Sequence, residues 1–261
     1  RDGRIVETSP NHLWDVLDKS NKVKIKTTKD LKETLTKTNP FYIKLTEPIS
    51  YSEKNFLISP YILGYHLGDG DSCGGRFCSV DEEPILEYKK QYEITVSNDN
   101  LHYYAKGLVK DWKKLNLFNN KHIPEEYFYG SITQRKDLLS GLFDSDGGVN
   151  VNTSKNGKLK STSVFTNTNF FLIEGVKRLL GSLGISFTCH RRNRSRNGKT
   201  SKISYDILIQ SDFNIFKIKR KSDKIIKRLT NNKRIPIKSI EKVEDAYSTC
   251  IRVDNENSLF L

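Results

Sequence analysis

Two segments of the chain share one pattern of apolar and small side chains. Residues 62–70 (ILGYHLGDG) and 139–147 (LSGLFDSDG) are largely apolar, carry two small residues four positions apart, and end in Asp-Gly. The small residues are Gly64 with Gly68 and Gly141 with Ser145. Residues i and i+4 share one helix face, and two helices can pack closely where that face has no bulky side chains. We therefore expect two helices side by side, with Asp69 and Asp146 emerging together.

The remaining pattern predicts a β-rich chain in which a helix followed by strands occurs twice. Residues 1–57 and the last thirty residues favour short strands, apart from one capped helix that starts at Thr27. Alternation and β-branched residues predict further strands at Arg76–Val80, Glu93–Ser97, 158–167, Phe187–Arg191 and Ile203–Gln210. Helical spacing predicts helices at Pro84–Gln91, Tyr103–Leu115 and Asn169–Leu183, the last closed by Gly184.

The two aspartates stand where a helix disfavours them. An anion at a helix C-terminus opposes the macrodipole, and Gly70 and Gly147 are predicted to be the C′ glycines that end both helices. A local rule broken without compensation often marks a functional site. Two facing carboxylates are suitable ligands for a divalent metal, and a metal beside a phosphodiester is the chemistry of nucleases.

Two other interpretations remain open for each segment. A single helix of this kind is more often part of a packed core. An EF-hand-like calcium loop starting at Asp69 fails, because its fifth position is Cys73, its twelfth is Val80, and the second copy has Val149 where that loop needs glycine. The repetition of the pattern favours the metal-dependent nuclease.

Charge is concentrated in one stretch. The chain of 261 residues has a net charge of +13, and residues 189–242 hold 17 Lys or Arg against 4 Asp or Glu, which accounts for the whole excess. This asymmetry is typical of proteins that bind a phosphate backbone, although a solvated lysine-rich surface is the simpler alternative. The cysteines are scattered and indicate neither a disulfide framework nor a zinc site.

The clearest predicted hairpin lies in this basic stretch. Its strands flank a turn at Asn197-Gly198. The candidate DNA-binding residues around it are Arg191, Arg192, Arg194, Arg196, Lys199 and Lys202. A basic two-stranded ribbon fits the major groove of DNA, where arginine can read guanine; the alternative is an exposed hairpin that uses charge to protect its edges.

Taken together, these motifs make the chain resemble the single-chain LAGLIDADG homing endonucleases carried in inteins. It is similar to the endonuclease of the yeast vacuolar ATPase intein. The resemblance covers roughly residues 58–230 and implies an α+β fold in which two pseudo-symmetric αββαββα halves form a DNA-binding β-saddle. It implies that Asp69 and Asp146 are catalytic and bind Mg²⁺ (Mn²⁺ can substitute) together with Gly68 and Ser145. It also implies hydrolysis of both strands at a long asymmetric site, leaving short 3′ overhangs.

The same resemblance implies two active-site lysines. Lys121, in Lys121-His122-Ile123-Pro124, matches the lysine that precedes Ile-Pro in intein-borne members. A second is expected within residues 220–224, where we choose Lys221 over Lys224 although the spacing is not fixed. Asp144 is expected to be a structural or capping acid, and His66 a packed residue.

The flanks resemble parts of a β-rich Hint splicing domain. Ser9-Pro10-Asn11-His12 resembles the block with a Thr-x-x-His pattern, and the segment from Cys250 to Leu261 resembles the penultimate splicing block, where Cys250 stands in the place of a frequent aspartate. We treat Ser9, His12 and Cys250 as relics of splicing. The N-terminal nucleophile and the terminal His-Asn are not in the sequence, and methionine is absent, so we expect a trimmed piece that does not splice.

These observations predict the domain organisation and the partners. Residues 1–57 and 233–261 would form the partial Hint domain, and residues 58–232 the endonuclease, with halves at about 58–135 and 136–232. The partners would be double-stranded DNA and, in the full precursor, the host protein's exteins; we expect an intracellular monomer that is not secreted and does not use a membrane. The alternatives are a splicing element with a passenger nuclease, and a maturase-like module that binds DNA or RNA without cleaving it.

Overall fold

The computed structural model describes residues 4–154, 156–193, 195–196, 199–200, 202–209, 214–226 and 234–247. These residues form two compact units. The larger unit is built from the described residues between 48 and 231, and the smaller from those between 3 and 47 together with those from 232 onward. The assignment of these units to endonuclease and Hint domains stays a prediction.

The smaller unit contains a four-stranded antiparallel sheet and one helix. Its elements are β1 (Leu13–Leu17), β2 (Val23–Thr27), α1 (Thr28–Thr34), β3 (Tyr42–Lys44) and β13 (Arg234–Pro236), with the sheet order β13-β3-β1-β2. Thr27 caps α1 in a reciprocal capping box with Asp30, which confirms the predicted capped helix. Val16, Leu31 and Phe41 form its buried core.

The larger unit is organised around two helices, α2 (Pro60–Asp69) and α5 (Ile132–Asp146). The other helices are α3 (Glu82–Lys89), α4 (Leu108–Lys114), a 3₁₀ helix at Glu125–Tyr129, α6 (Phe170–Ser182) and α7 (Lys219–Ser222). Ser131 caps α5 and Asn169 caps α6 with their side chains. One continuous apolar core includes both central helices and the inner faces of the sheets.

The first half of this unit has a three-stranded sheet in the order β4-β6-β5. Its strands are β4 (Arg76–Cys78), β5 (Glu93–Val96) and β6 (His102–Lys106). A further strand directly after α2 is reduced to one bridge between Gly70 and Phe77. The following loop turns away because the Ser72 carbonyl accepts hydrogen bonds from the Trp112 indole and the Asn119 amide.

The predicted helix at Tyr103–Leu115 is wrong over its first part. Residues 102–106 form β6, and α4 begins only after Gly107, whose φ of 93° separates the strand from the helix. The strand follows a turn in which Asp99 accepts hydrogen bonds from the Leu101 and His102 amides. Pairing with β4 and β5 therefore overrides the helical spacing in this stretch.

The second half shows the full order of helix, two strands, helix, strands and helix. Its four-stranded antiparallel sheet has the order β7-β8-β12-β9, with β7 (Gly147–Thr153), β8 (Leu159–Asn167), β9 (Phe187–Arg192) and β12 (Ser204–Ile209). Between β9 and β12, β10 (Ser195–Arg196) pairs with β11 (Lys199–Thr200). The predicted hairpin is thus confirmed in its backbone, whereas polar β7 had not been predicted.

The glycines that follow the two aspartates end the helices in a different way from the prediction. Gly70 and Gly147 have extended backbones, with φ of −84° and −108°, and are not left-handed C′ glycines. The chain runs directly from each helix into β pairing. Glycine is needed for space, because a Cβ on Gly70 would lie 2.3 Å from Cγ of His66 and one on Gly147 would lie 2.5 Å from the Phe143 carbonyl oxygen.

Helix length also bears on membranes. Among the described residues, no helix has the length and apolar character needed to span a bilayer.

Candidate active site

The two central helices touch through their backbones at the small residues. A Cβ added to Gly64 would lie 2.2 Å from the Leu138 carbonyl oxygen, and one added to Gly141 would lie 2.1 Å from that of Tyr61. A Cβ on Gly68 would lie 2.0 Å from Oγ of Ser145. Real Cβ atoms do not approach so closely, so this contact requires small residues. The predicted close packing of the two helices is confirmed.

This packing places the two aspartates at neighbouring helix ends. Asp69 is the last residue of α2 and Asp146 the last of α5. The Asp146 carboxyl carbon lies 3.3 Å from where a Gly68 Cβ would stand. The carboxylate of one motif therefore lies directly beside the end of the other helix.

The electrostatics of the pair favour a bound cation. Burial and, after it, the negative charge of Asp69 raise the pKa of Asp146 to about 6. Burial also raises the pKa of Asp69, against the positive charges of Lys221 and Lys121. Asp69 is exposed and Asp146 is partly buried. Two neighbouring carboxylates that repel each other are stabilised by a cation between them.

Each helix end is covered by one lysine. Lys121 Nζ donates to the carbonyls of Gly68 at 3.0 Å and Gly70 at 2.7 Å. Lys221 Nζ donates to the carbonyls of Asp144 at 2.5 Å and Gly147 at 2.8 Å, with a longer contact of 3.3 Å to Phe143. A cation at a helix C-terminus is favourable. Neither helix has a lysine or arginine in its own last turn, so Lys121 and Lys221 supply this positive charge from other segments of the chain.

The two lysines occupy corresponding positions. Gly70 and Gly147 each follow a motif aspartate. The Gly70 carbonyl accepts a hydrogen bond from Lys121, and the Gly147 carbonyl accepts one from Lys221. Burial lowers the pKa of both lysines, and the aspartates nearby oppose that shift. Lys224, the alternative to Lys221, is exposed, so the structure brings Lys221 to the site.

Two asparagines at this site were missed by the sequence analysis. Asn167, at the end of β8, donates from Nδ2 to Asp146 at 2.6 Å and accepts from the Asn169 amide at 2.8 Å. Asn169 donates in turn to the Lys121 carbonyl at 2.7 Å. The only signal in the sequence was that Asn169 begins a helix. The network ties Asp146 to the segment that carries Lys121.

Asp144 and His66 have structural roles, as expected. Asp144 is buried and accepts hydrogen bonds from the Tyr61 hydroxyl at 2.8 Å and the Lys217 amide at 3.0 Å. It thereby fixes the chain just before α7, which carries Lys221. His66 is fully buried, with Nδ1 near the Tyr88 hydroxyl and Nε2 near the Gly74 carbonyl, and burial lowers its pKa to about 4.

The donors available for a divalent metal are all oxygens. The Asp69 and Asp146 carboxylates are the hard ligands that Mg²⁺ prefers, and a bound cation would relieve the repulsion between them. Among the described residues, no group of three or more His, Cys, Asp or Glu side chains could hold a metal. Further ligands would then come from backbone oxygens, substrate or water; of the predicted ligand residues Gly68 and Ser145, Gly68 has its carbonyl hydrogen-bonded to Lys121 in this structure.

The outer face of the second sheet is polar. Alternation places Asn150, Lys160, Thr166, His190, Arg192 and Asp206 on the face opposite the buried Phe165 and Ile207. Arg192 is exposed on this face, whereas its neighbour Arg191 points to the other side of β9.

The remaining predicted residues are only partly described. Lys202 is exposed, and Arg196 and Lys199 lie in β10 and β11. Arg194 and Cys250 lie outside the described residues. In the smaller unit the His12 amide donates to the Ser9 carbonyl at 3.1 Å, and the His12 ring packs edge-on against Trp14. The roles of these residues in DNA binding and splicing stay predictions.

One sequence comparison finds a family model that matches part of the chain. Residues 133–234 match the family model of the LAGLIDADG-like domain. This segment contains α5 from its second residue onward, the second sheet and α7, so the match includes Asp146 and Lys221.

Other comparisons find partial relatives. The chain is 32% identical over 214 residues to the replicative DNA helicase DnaB of Mycobacterium intracellulare, a match that covers 80% of this chain and 34% of the relative. It is 25% identical over 244 residues to the ATP-dependent DNA helicase Hel308 of Methanocaldococcus jannaschii, covering 84% of this chain and 19% of that protein. The chain thus spans about a third of the length of the DnaB relative and about a fifth of the length of the Hel308 relative.

A similar solved structure is that of the homing endonuclease I-DmoI in complex with DNA and Ca. It is 18% identical, with a TM-score of 0.39, and the match covers 64% of this chain and 95% of that one.

Proposed function

We propose that this chain is a site-specific, metal-dependent homing endonuclease that cleaves both strands of DNA. The observation that carries the proposal is the paired helix ends, where close packing brings Asp69 and Asp146 together and one lysine covers each end. The match of residues 133–234 to the LAGLIDADG-like domain supports it. The basic stretch and the polar outer face of the second sheet suit a DNA partner.

The chain's own residues would divide the work as follows. Asp69 and Asp146, with Gly68 and Ser145, would hold Mg²⁺, with Mn²⁺ as a substitute. The Gly68 carbonyl accepts a hydrogen bond from Lys121 in this structure, so it would exchange that bond for the metal. The bound metal would stabilise negative charge on the scissile phosphate. Two of the three Nζ protons of Lys121 bind carbonyls, so the third is available to orient water or to stabilise the developing charge.

Cleavage of the intact insertion site tests this proposal. The probe is a duplex that joins the two host-gene segments flanking the coding insertion. We expect Mg²⁺-dependent double-strand cleavage, and no cleavage by the doubly substituted Asp69→Asn, Asp146→Asn protein, which should still bind in a gel-shift assay. Equal cleavage by the two proteins would contradict the proposal, and binding without cleavage by the natural chain would favour the maturase-like alternative.

We further propose that the endonuclease is carried in an intein, as an intracellular monomer. Along the sequence, the smaller unit combines residues that precede the larger unit with residues that follow it, the organisation expected of an inserted nuclease. Matches that cover most of this chain but only 34% and 19% of two different helicases fit an element inserted in host proteins. Fusion to splicing blocks that carry an N-terminal nucleophile and a terminal His-Asn, and to flanking exteins, should yield a ligated product, and its absence would contradict intein carriage.

A further inference from the structure

A buried carboxylate stands on the outer polar face of the second sheet. Asp206 lies in the middle of β12, directly opposite Thr166 in β8 and His190 in β9. Only 7% of Asp206 is exposed. A buried carboxylate is costly unless it is hydrogen-bonded or paired with a cation, so the partners of Asp206 indicate why it is kept.

Asp206 holds one arginine of the predicted DNA-binding set. It accepts from Thr166 Oγ1 at 2.8 Å and from Arg192 Nε at 3.1 Å. The Arg192 side chain remains 53% exposed. Because the bond uses Nε, the two Nη atoms keep four N–H groups, and no described residue accepts a hydrogen bond from them.

This arrangement suits base recognition better than contact with phosphate. A carboxylate beside an arginine reduces the local positive charge, which weakens attraction to a phosphate backbone. It also fixes the plane of the guanidinium, whose two Nη groups match the O6 and N7 acceptors of guanine in the major groove. Arg191 points to the opposite side of the strand and cannot share this role.

We propose that Asp206 is a specificity-determining positioning residue, which orients Arg192 to read one guanine of the DNA target. The inference rests on the proposed function, because it assumes that the outer face of the second sheet lies on DNA. Asp206 itself does not contact the base.

The test is selection of bound DNA from a pool of randomised duplexes, without divalent cation, followed by sequencing. The natural protein should enrich a sequence with a strong guanine preference at one position. Asp206→Ala and Arg192→Ala should lose that preference at the same position by about 5-fold or more and leave the other positions unchanged. Asp206→Asn keeps the size of the side chain and an oxygen that can accept from Thr166, so it tests the positioning role if Asp206→Ala folds poorly.

Glu125→Ala is the matched control. Glu125 lies in the 3₁₀ helix, where its carboxylate forms an exposed ion pair with Arg178 of α6 at 2.6 Å, away from the outer faces of both sheets, and its loss should leave every base preference unchanged. A full guanine preference in Asp206→Ala, or changes at different positions in the two test variants, would overturn the proposal. No enrichment by the natural protein would overturn the proposed function as well.

Discussion

The two halves of the larger unit carry the same chemical groups at their helix ends but hold them in different surroundings. In the second half Asp146 is tied to Asn167, and a complete four-stranded sheet follows α5 directly. In the first half, no described side chain donates a hydrogen bond to Asp69, and a single bridge replaces the first strand. The repeated chemistry is thus more symmetric than the framework that supports it.

The lysines show the same difference. Lys121 makes two hydrogen bonds to carbonyls, whereas Lys221 has three carbonyls within 3.3 Å and is 8% exposed. An ammonium group has three protons, so Lys121 keeps one for substrate and Lys221 keeps none. We infer that Lys121 contributes more to chemistry and Lys221 more to stability.

The largest effect that we expect is a loss of stability when the contact between α2 and α5, which both halves share, is disturbed. Gly141→Ala would place a Cβ 2.1 Å from the Tyr61 carbonyl oxygen, and should lower the free energy of unfolding by about 3 kcal/mol or more, because neither backbone can move without separating the helices. Urea unfolding measures it. Gly148→Ala is the control, since its Cβ would meet nothing within 4 Å; equal stability of the two variants would contradict the packing described.

The next largest effect is on the rate of cleavage, and it should differ between Lys121 and Lys221. Lys121→Met should slow cleavage by about 100-fold, the size of losing one donor to developing charge. Lys221→Met should slow cleavage less and lower the unfolding midpoint more, since three carbonyls lose their partner. Single-turnover rates and thermal unfolding measure these changes. The exposed Lys224→Met should match the natural protein, and the reverse ranking of the two lysines would refute the distinction.

The smallest effect concerns the asymmetric support of Asp146. Asn167→Ala removes the 2.6 Å hydrogen bond to that carboxylate and should slow cleavage of one DNA strand by about 10-fold, as is usual when a group that orients a ligand is lost. The other DNA strand, whose cleavage depends on Asp69, should be cut at the natural rate. End-labelled strands on a denaturing gel separate the two rates, and equal slowing of both would argue for a general structural role of Asn167.

The parts of this architecture that depend on local pattern were predictable from the sequence. Small residues four positions apart were sufficient to predict the helix contact, and the capping sequence at Thr27 predicted α1. The strand at residues 102–106 was not predictable, because pairing with distant strands decided it. The extended Gly70 and Gly147 reflect the space beside each helix end, which no local pattern encodes.

The aspartates of the candidate site were predictable from the repeated motif, and Lys121 was predictable from the resemblance to a family. Asn167 and Asp206 could not be found in this way, because their partners Asp146 and Arg192 lie 21 and 14 positions away and only the folded chain brings the side chains together. The choice between Lys221 and Lys224 likewise depended on how α7 is oriented over the end of α5.

The central claim is that two neighbouring carboxylates, one from each half, serve two DNA strands. Its most direct test is strand-resolved cleavage by the single variants Asp69→Asn and Asp146→Asn on the joined insertion site. We predict that each variant slows the cut of a different strand by at least about 100-fold, the size of effect seen when one transition-state contact is removed, while DNA binding is retained. Cleavage of both strands at the natural rate in either variant would contradict the account.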